Sequence, residues 1–318
     1  MNVSVIIPVY NAENFLRRAV ESALKHPEVK EVILVEDGSP DNSLNVCKAL
    51  ATEHQRVHLY QHPGDINKGA GATRNLGIQK ATQEFICFLD ADDFMTDLRF
   101  EKEKEIFSLN PAVDGVYGAT GAYYDDEVGA SAWTKMGFDE KHLDTMNQRI
   151  SPDDLFEYLI GYKRDDQYPG DFTIDALTIK KGRLIKESIF FDEQLKLHQD
   201  SVFIWQCAYY LKLFAGELEK PVAIRGIHKD NRFIHHQNMI DSRLKFYKRL
   251  IAWSIEEKLE KEYRELFQTN YYYLSLPNLS VIRTIVLGTN HYLFNKYFRK
   301  TFHRFIHKKL GINTTPKG

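Results

Sequence analysis

Over the first hundred positions the apolar residues fall into two rhythms. Residues 3–10 (VSVIIPVY), 31–37 (EVILVED), 57–62 (VHLYQH) and 84–90 (EFICFLD) are short apolar runs rich in β-branched and aromatic side chains, the pattern of strands. Between them Phe15, Leu16, Ala19, Val20, Ala23 and Leu24 recur at helical spacing, as do Leu44, Cys47, Leu50 and Ala51. Asn11 is placed to cap the first helix, and Ser39 or Asp41 the second. Strands alternating with helices in this way predict βαβ units and a parallel sheet.

The pattern loosens beyond residue 98. A charged helical stretch (LRFEKEKEIFSL) precedes DGVYGATGAYY, which reads as a strand or hairpin, and residues 125–149 read as irregular. Ser151 and Pro152 then open a helix running to Ile160. DALTIKKGRLIKE reads as extended, DSVFIWQCAYYLKLF as a helix with Asp200 at its start, and KPVAIRGIHKDNRFI as a last strand and polar turn. From about Gln237 the chain reads as helical and aromatic, which divides it into residues 1–236 and 237–318.

Composition narrows this picture. The 318 residues suffice for a large core. Three widely spaced cysteines in apolar contexts suggest neither a disulfide framework nor a zinc site, and fit a reducing compartment. No signal peptide and no bilayer-length apolar run is read. Net charge is −2, yet residues 281–318 hold eight Lys and Arg and no acid, leaving −10 for the remainder. In that tail Phe294, Phe298, Phe302, Phe305 and Ile306 interleave with the basic residues at helical spacing. A surface helix packed on the main domain would explain this; an interfacial helix on anionic lipid is the preferred reading. Nothing else in the chain suggests nucleic-acid binding.

Ligands of open α/β sheets bind beyond the carboxyl ends of the strands, and the polar residues gather there. The first strand ends on Pro8, Tyr10 and Asn11, the second on EDGSPD, the fourth on DADD (Asp90, Asp92, Asp93). Aspartates at such places can be turn or cap residues. Three of them after an apolar strand, beside Glu36 and Asp37, call for a shared cation, and a divalent metal serves. GAGATR resembles a dinucleotide fingerprint but has Arg74 at the third glycine and follows a long loop, which sets a dehydrogenase aside.

Five colinear stretches, SVIIPVYNAENFL, LVEDGSPDNS, NKGAGATRNLGI, EFICFLDADD and FFDEQLKLHQD, together resemble family 2 of the nucleotide-sugar glycosyltransferases. The resemblance implies the GT-A fold, an α/β, Rossmann-like nucleotide-binding domain with a mixed, mainly parallel sheet, here followed by a helical extension. It implies that Pro8 and Tyr10 line a nucleobase pocket, that Asp37 bonds the base, and that Arg74 reaches it. Asp90 would lie near the ribose, Asp92 on a Mn²⁺ or Mg²⁺ ion, and Asp200 would be the general base. Gln199 departs from the family's usual glutamate before that base. His228 is either a further metal ligand or an ordinary turn histidine, and Asp200 is also placed to cap its helix. Trp205, Tyr209 and Tyr210 read as core, and Trp133 as a platform for acceptor.

The expected activity is inverting transfer from a nucleotide-sugar donor, a UDP-sugar above all, to a surface glycan or lipid-linked acceptor at the cytoplasmic face of a membrane. A non-catalytic sugar-nucleotide-binding or scaffolding subunit is the alternative, though such a module has no use for Asp200.

Overall fold

A computed structural model describes residues 1–138, 143, 145, 148–162, 171–231 and 239–275. The chain divides into two compact units, Met1–His236 and Gln237–Gly318.

The first unit begins as the alternation predicts: β1 (Val3–Val9), α1 (Leu16–Leu24), β2 (Val29–Glu36), α2 (Ser43–Glu53), β3 (Val57–Gln61), α3 (Ala70–Lys80) and β4 (Phe85–Phe88). β1 pairs in parallel with β2 and with β4, and β2 in parallel with β3. Side chains alternate across β1. Val3, Val5, Ile7 and Val9 join the core shared with Leu16, Ala19 and Val20 of α1, whereas Ile6 faces α3. A Cβ on Gly77 of α3 would come within 2.3 Å of Ile6 Cγ2, so glycine there lets helix and sheet close up.

After β4 come β5 (Phe94–Met95), α4 (Glu101–Leu109), β6 (Gly115–Tyr117), β7 (Ala119–Tyr124), α5 (Glu127–Lys135), α6 (Leu155–Leu159), a 3-10 turn (Ile174–Ala176), β8 (Leu177–Lys180), α7 (Lys181–Lys186), α8 (Gln199–Tyr210), β9 (Leu213–Ala215) and β10 (Pro221–Ile227). The large sheet has the order β3-β2-β1-β4-β8-β6-β9, and a small one the order β5-β10-β7. β8 runs antiparallel to β4 and β6, which makes the large sheet mixed but mainly parallel.

Several sequence expectations are corrected. Residues 114–124, read as a strand or hairpin, form two strands but no hairpin: β6 and β7 belong to different sheets. Residues 125–149 contain α5, whose first turn is capped by Asp126 accepting the Gly129 N–H at 2.7 Å. DALTIKKGRLIKE is extended only to Lys180 and then helical. The α8 helix stops at Tyr210, and the Leu-Phe beyond it enters β9. Asn11 caps nothing; it sits at φ 55°, and α1 starts at Leu16. Asn42 occupies the cap position of α2, with Asp41 accepting the Ser43 N–H from one residue further out. The helix assigned from Ser151 starts at Leu155 and ends at Leu159, with Ser151 Oγ accepting the Asp154 N–H ahead of it.

The second unit contains α9 (Met239–Glu256) and α10 (Lys261–Ser275), two helices packed on each other. No helix among the described residues is long and apolar enough to cross a membrane. The basic, aromatic stretch 281–318 lies outside the described residues.

Candidate active site

Because β1, β2, β3 and β4 all run the same way, their carboxyl ends meet at one edge, and the segments that follow them build the site. Tyr10 stands there half-exposed, with Pro8 partly buried before it. The loop behind Tyr10 is tied to the start of α2: Ala12 N–H donates to Ser43 Oγ at 2.8 Å, and Glu13 N–H to Asp41 Oδ2 at 3.1 Å. Asp37, buried after β2, accepts the N–H groups of Lys68 at 2.7 Å and Gly69 at 2.9 Å. It therefore fixes the loop entering α3, where Gly69 adopts φ 87°. Each carboxylate oxygen retains acceptor capacity beyond those bonds.

The three aspartates after β4 have three different surroundings. Asp90 Oδ1 accepts from Arg74 Nη2 at 2.5 Å, while the Asp90 N–H donates to Asp175 Oδ1 at 2.8 Å. Arg74 is buried, with its guanidinium over the Phe191 ring. Burial alone would weaken its hold on the proton, but the carboxylates of Asp90, Asp200 and Asp175 outweigh that and raise its pKa. Asp92 turns the other way. Its Oδ2 lies 3.1 Å from His228 Nε2 and 3.3 Å from Asn231 Nδ2. Asp93 points inward and accepts the Gly226 N–H at 2.9 Å, joining the loop to β10.

Burial, then the charge of Asp175, Asp92 and Asp90, pushes the Asp93 carboxyl well up; burial followed by Asp90 does the same for Asp175. Oxygens of Asp90, Asp93 and Asp175 lie within 4.8 Å of one another. Two of these carboxyls are buried and hold backbone N–H groups, which suits a structural knot. The Asp92–His228 pair, partly open at the Asp92 side chain, joins a hard oxygen to an imidazole nitrogen, a donor set suited to Mn²⁺. The His228 ring stacks on Phe15 at 4.3 Å, and its Nδ1 is buried without a hydrogen-bond partner among the described residues, so Nε2 is the nitrogen that serves the site.

Asp200 is exposed in the first turn of α8, after His198 in the left-handed conformation. Its Oδ1 accepts the neighbouring Ser201 N–H at 2.9 Å. The N-cap position is His198, two residues before Asp200, and it makes no side-chain capping bond, so the capping role considered for Asp200 is not filled. Gln199 packs against the start of α3, where a Cβ on Gly71 would fall 2.3 Å from Gln199 Oε1. A polar cavity of about 240 Å³ is lined by Asp90, Asp175, Asp200, Arg225, Phe172 and Trp205, among others. Asp90 and Asp200, 110 positions apart in the chain, thus share one wall-to-wall space.

Two aromatic readings change. Trp133 is no open platform: it is buried, stacks on Phe138 at 4.6 Å and packs with Ala122 and Ile227. Trp205, read as core, is buried and also lines the cavity. Tyr209 and Tyr210 are half-buried and meet edge to face, Tyr209 also against Phe156. Sequence reasoning missed Asp175. It stands alone in DFTIDALT, in no motif, and only the 3-10 turn before β8 brings it beneath the Asp90 N–H.

The fold agrees with known proteins. Glycosyl transferase family 2 matches residues 4–165, half of the chain. An uncharacterized glycosyltransferase of Haemophilus influenzae is 38% identical over 112 residues, 35% of this chain and 44% of that protein. The minor teichoic acid biosynthesis protein GgaA of Bacillus subtilis is 29% identical over 231 residues, 68% of this chain and 45% of that protein. This chain thus matches less than half the length of either relative. Among solved structures, S. aureus TarS 1-349 in complex with UDP-GlcNAc superposes with a TM-score of 0.60 at 16% identity, over 90% of this chain and 76% of that one. That likeness establishes the GT-A fold, and with the family match it leads to one conclusion: the chain belongs to glycosyl transferase family 2.

Proposed function

We propose that this chain transfers a sugar from a UDP-sugar, with inversion, to a hydroxyl of a surface glycan or lipid-linked acceptor. The main support is the convergence of Asp90, Arg225 and Asp200 on one cavity, at the sheet edge where Asp92 meets His228. The donor class draws further support from the UDP-GlcNAc complex of TarS, and the acceptor class from GgaA, named for teichoic acid biosynthesis.

In this reading Pro8, Tyr10, Asp37 and Arg74 flank the nucleotide, Asp37 and Arg74 chiefly by holding the α3 loop and Asp90 in place. Asp92 and His228 would hold a divalent ion, which would supply Lewis-acid stabilisation of the charge that develops on the leaving diphosphate. Asp200 accepts the acceptor hydroxyl proton as that oxygen bonds to the anomeric carbon. The bond from that carbon to the diphosphate oxygen breaks, its electron pair leaves with UDP, and the proton stays on Asp200. The 281–318 tail, eight positive charges with no acid, rests on anionic lipid and brings the chain to the cytoplasmic membrane face.

The test is thermal stability of the protein against a panel of nucleotides and UDP-sugars, with and without Mn²⁺, and on Asp92→Ala. A ligand at a hundred times its dissociation constant adds about 2.7 kcal/mol. Stabilisation by UDP-sugars only with Mn²⁺, lost in Asp92→Ala, is expected, and the best sugar is then assayed for transfer. Stabilisation independent of UDP or of metal would overturn the reading, and metal-dependent binding without turnover would leave a binding subunit.

A further inference from the structure

α1 carries two adjacent arginines with opposite fates. Arg17 faces outward to Glu53 and Glu21. Arg18 reaches across to the loop after β4 and to the small sheet. Its Nη1 and Nη2 fork onto the Asp125 carboxylate at 2.6 and 2.8 Å, and Nη2 also donates to the backbone carbonyl of Asp92 at 2.8 Å. The guanidinium lies over the rings of Phe94 at 4.8 Å, Tyr123 at 5.6 Å and Phe15 at 5.9 Å. Phe15, one helical turn before Arg18, is the ring that stacks on His228. Asp125, at the far end of the fork, donates its N–H to the Ile227 carbonyl at 2.9 Å, immediately before His228.

Arg18 therefore bonds directly to the Asp92 carbonyl and is linked to His228 at one remove, through the Asp125 fork and through the Phe15 ring. A bidentate arginine–carboxylate pair has a fixed plane, so it sets relative position rather than supplying charge alone. The junction has no slack. At Gly226 a Cβ would fall 2.3 Å from the Asp92 carbonyl oxygen, 2.8 Å from Asp125 Oδ2 and 2.9 Å from Arg18 Nη2.

We infer that Arg18 is a positioning residue that sets the spacing of Asp92 Oδ2 and His228 Nε2, and with it the affinity of the site for a divalent cation. This rests on the metal reading of Asp92 and His228. Outer partners of metal ligands commonly govern 10–100-fold in metal affinity. Arg18→Met keeps the stem over the three rings but removes every donor. Arg18→Lys keeps a cation that cannot span Asp125 and the Asp92 carbonyl together.

The experiment titrates the full chain with Mn²⁺ in the presence of UDP and follows free Mn²⁺ by electron paramagnetic resonance, with circular dichroism melts alongside. Mn²⁺ affinity is expected to fall about tenfold or more in Arg18→Met. Arg18→Lys should fall less, and Arg17→Met should match the unsubstituted protein. In transfer assays the Mn²⁺ concentration for half-maximal rate should rise by more than the maximal rate drops. Full-strength Mn²⁺ binding by folded Arg18→Met overturns the inference, as does full-strength binding by Arg18→Lys if the methionine variant fails to fold. If the unsubstituted protein itself retains no Mn²⁺, the metal reading fails first and the positioning role falls with it.

Discussion

Gly226→Ala is the smallest change that should damage both the fold and the site. Three atoms crowd the new methyl group at 2.3, 2.8 and 2.9 Å, and the nearest is a backbone carbonyl that cannot rotate away. Either β10 or the loop carrying Asp92 must shift by about an ångström to restore van der Waals contact, and overpacking of this kind costs about 1–3 kcal/mol. A shift of β10 also stretches the Gly226 N–H bond to the buried Asp93 carboxyl. Its loss costs about 1–3 kcal/mol more. A total of about 2–6 kcal/mol lowers the melting temperature by about 4–24 °C in a unit of this size. The assay is thermal unfolding beside Gly182→Ala, in α7, where a Cβ meets nothing within 4 Å. That control should be neutral or stabilised by up to about 1 kcal/mol, the helix preference for alanine. A Gly226→Ala protein that melts with the unsubstituted chain and responds unchanged to Mn²⁺ would refute the close junction between β10 and Asp92.

Asp200→Asn keeps the oxygen that accepts the Ser201 N–H. Transfer rate should therefore drop about 10²–10⁴-fold while UDP binding persists, and unchanged turnover would remove Asp200 as base. Arg99 and Glu103 form a buried pair under β8. Burial pushes the Glu103 carboxyl up to about 7 against the pull of Arg99, from an ordinary 4.5. The folded state therefore binds that proton more tightly, so the stability it adds is complete below pH 4.5 and is lost as pH rises through 7. The loss amounts to about 3 kcal/mol at most. Urea unfolding at pH 5 and 8 should show this fall in the unsubstituted protein and a flatter, lower profile in Glu103→Gln; parallel profiles would count against it.

The first four strands and the two helices between Phe15 and Ala51 are readable because each depends on its own neighbours in sequence. VSVIIPVY and EVILVED are apolar enough to be strands wherever the chain puts them, and parallel pairing then aligns their ends. Legibility fails where meaning comes from afar. GRLIKE looks extended by composition, yet the chain leaves β8 at Lys180 and turns into a helix. EVGASAWTK has a weak apolar face, and its helix is held by the Asp126 cap and by Gly129, whose missing Cβ lets it lie against the His228 backbone. Trp133 reads as a free ring because Ala122 and Ile227, which bury it, sit on two other strands. The same holds within the site. Asp90, Asp92 and Asp93 are conspicuous as a cluster, but their separate tasks follow from Arg74, His228 and Gly226, which no local pattern ties to them.

The small sheet also has a consequence for the order in which the protein is made. Its members are residues 94–95, 119–124 and 221–227, with β10 between the other two. The sheet edge formed by the carboxyl ends of β1 to β4 is complete once about ninety residues have left the ribosome. Pairings between such distant segments close large loops and form slowly. Asp92 waits for a partner 136 residues downstream. During synthesis the Asp92 loop thus emerges well before β10, so under the proposed function a divalent ion would be held only after His228 has joined it, late in the maturation of this half.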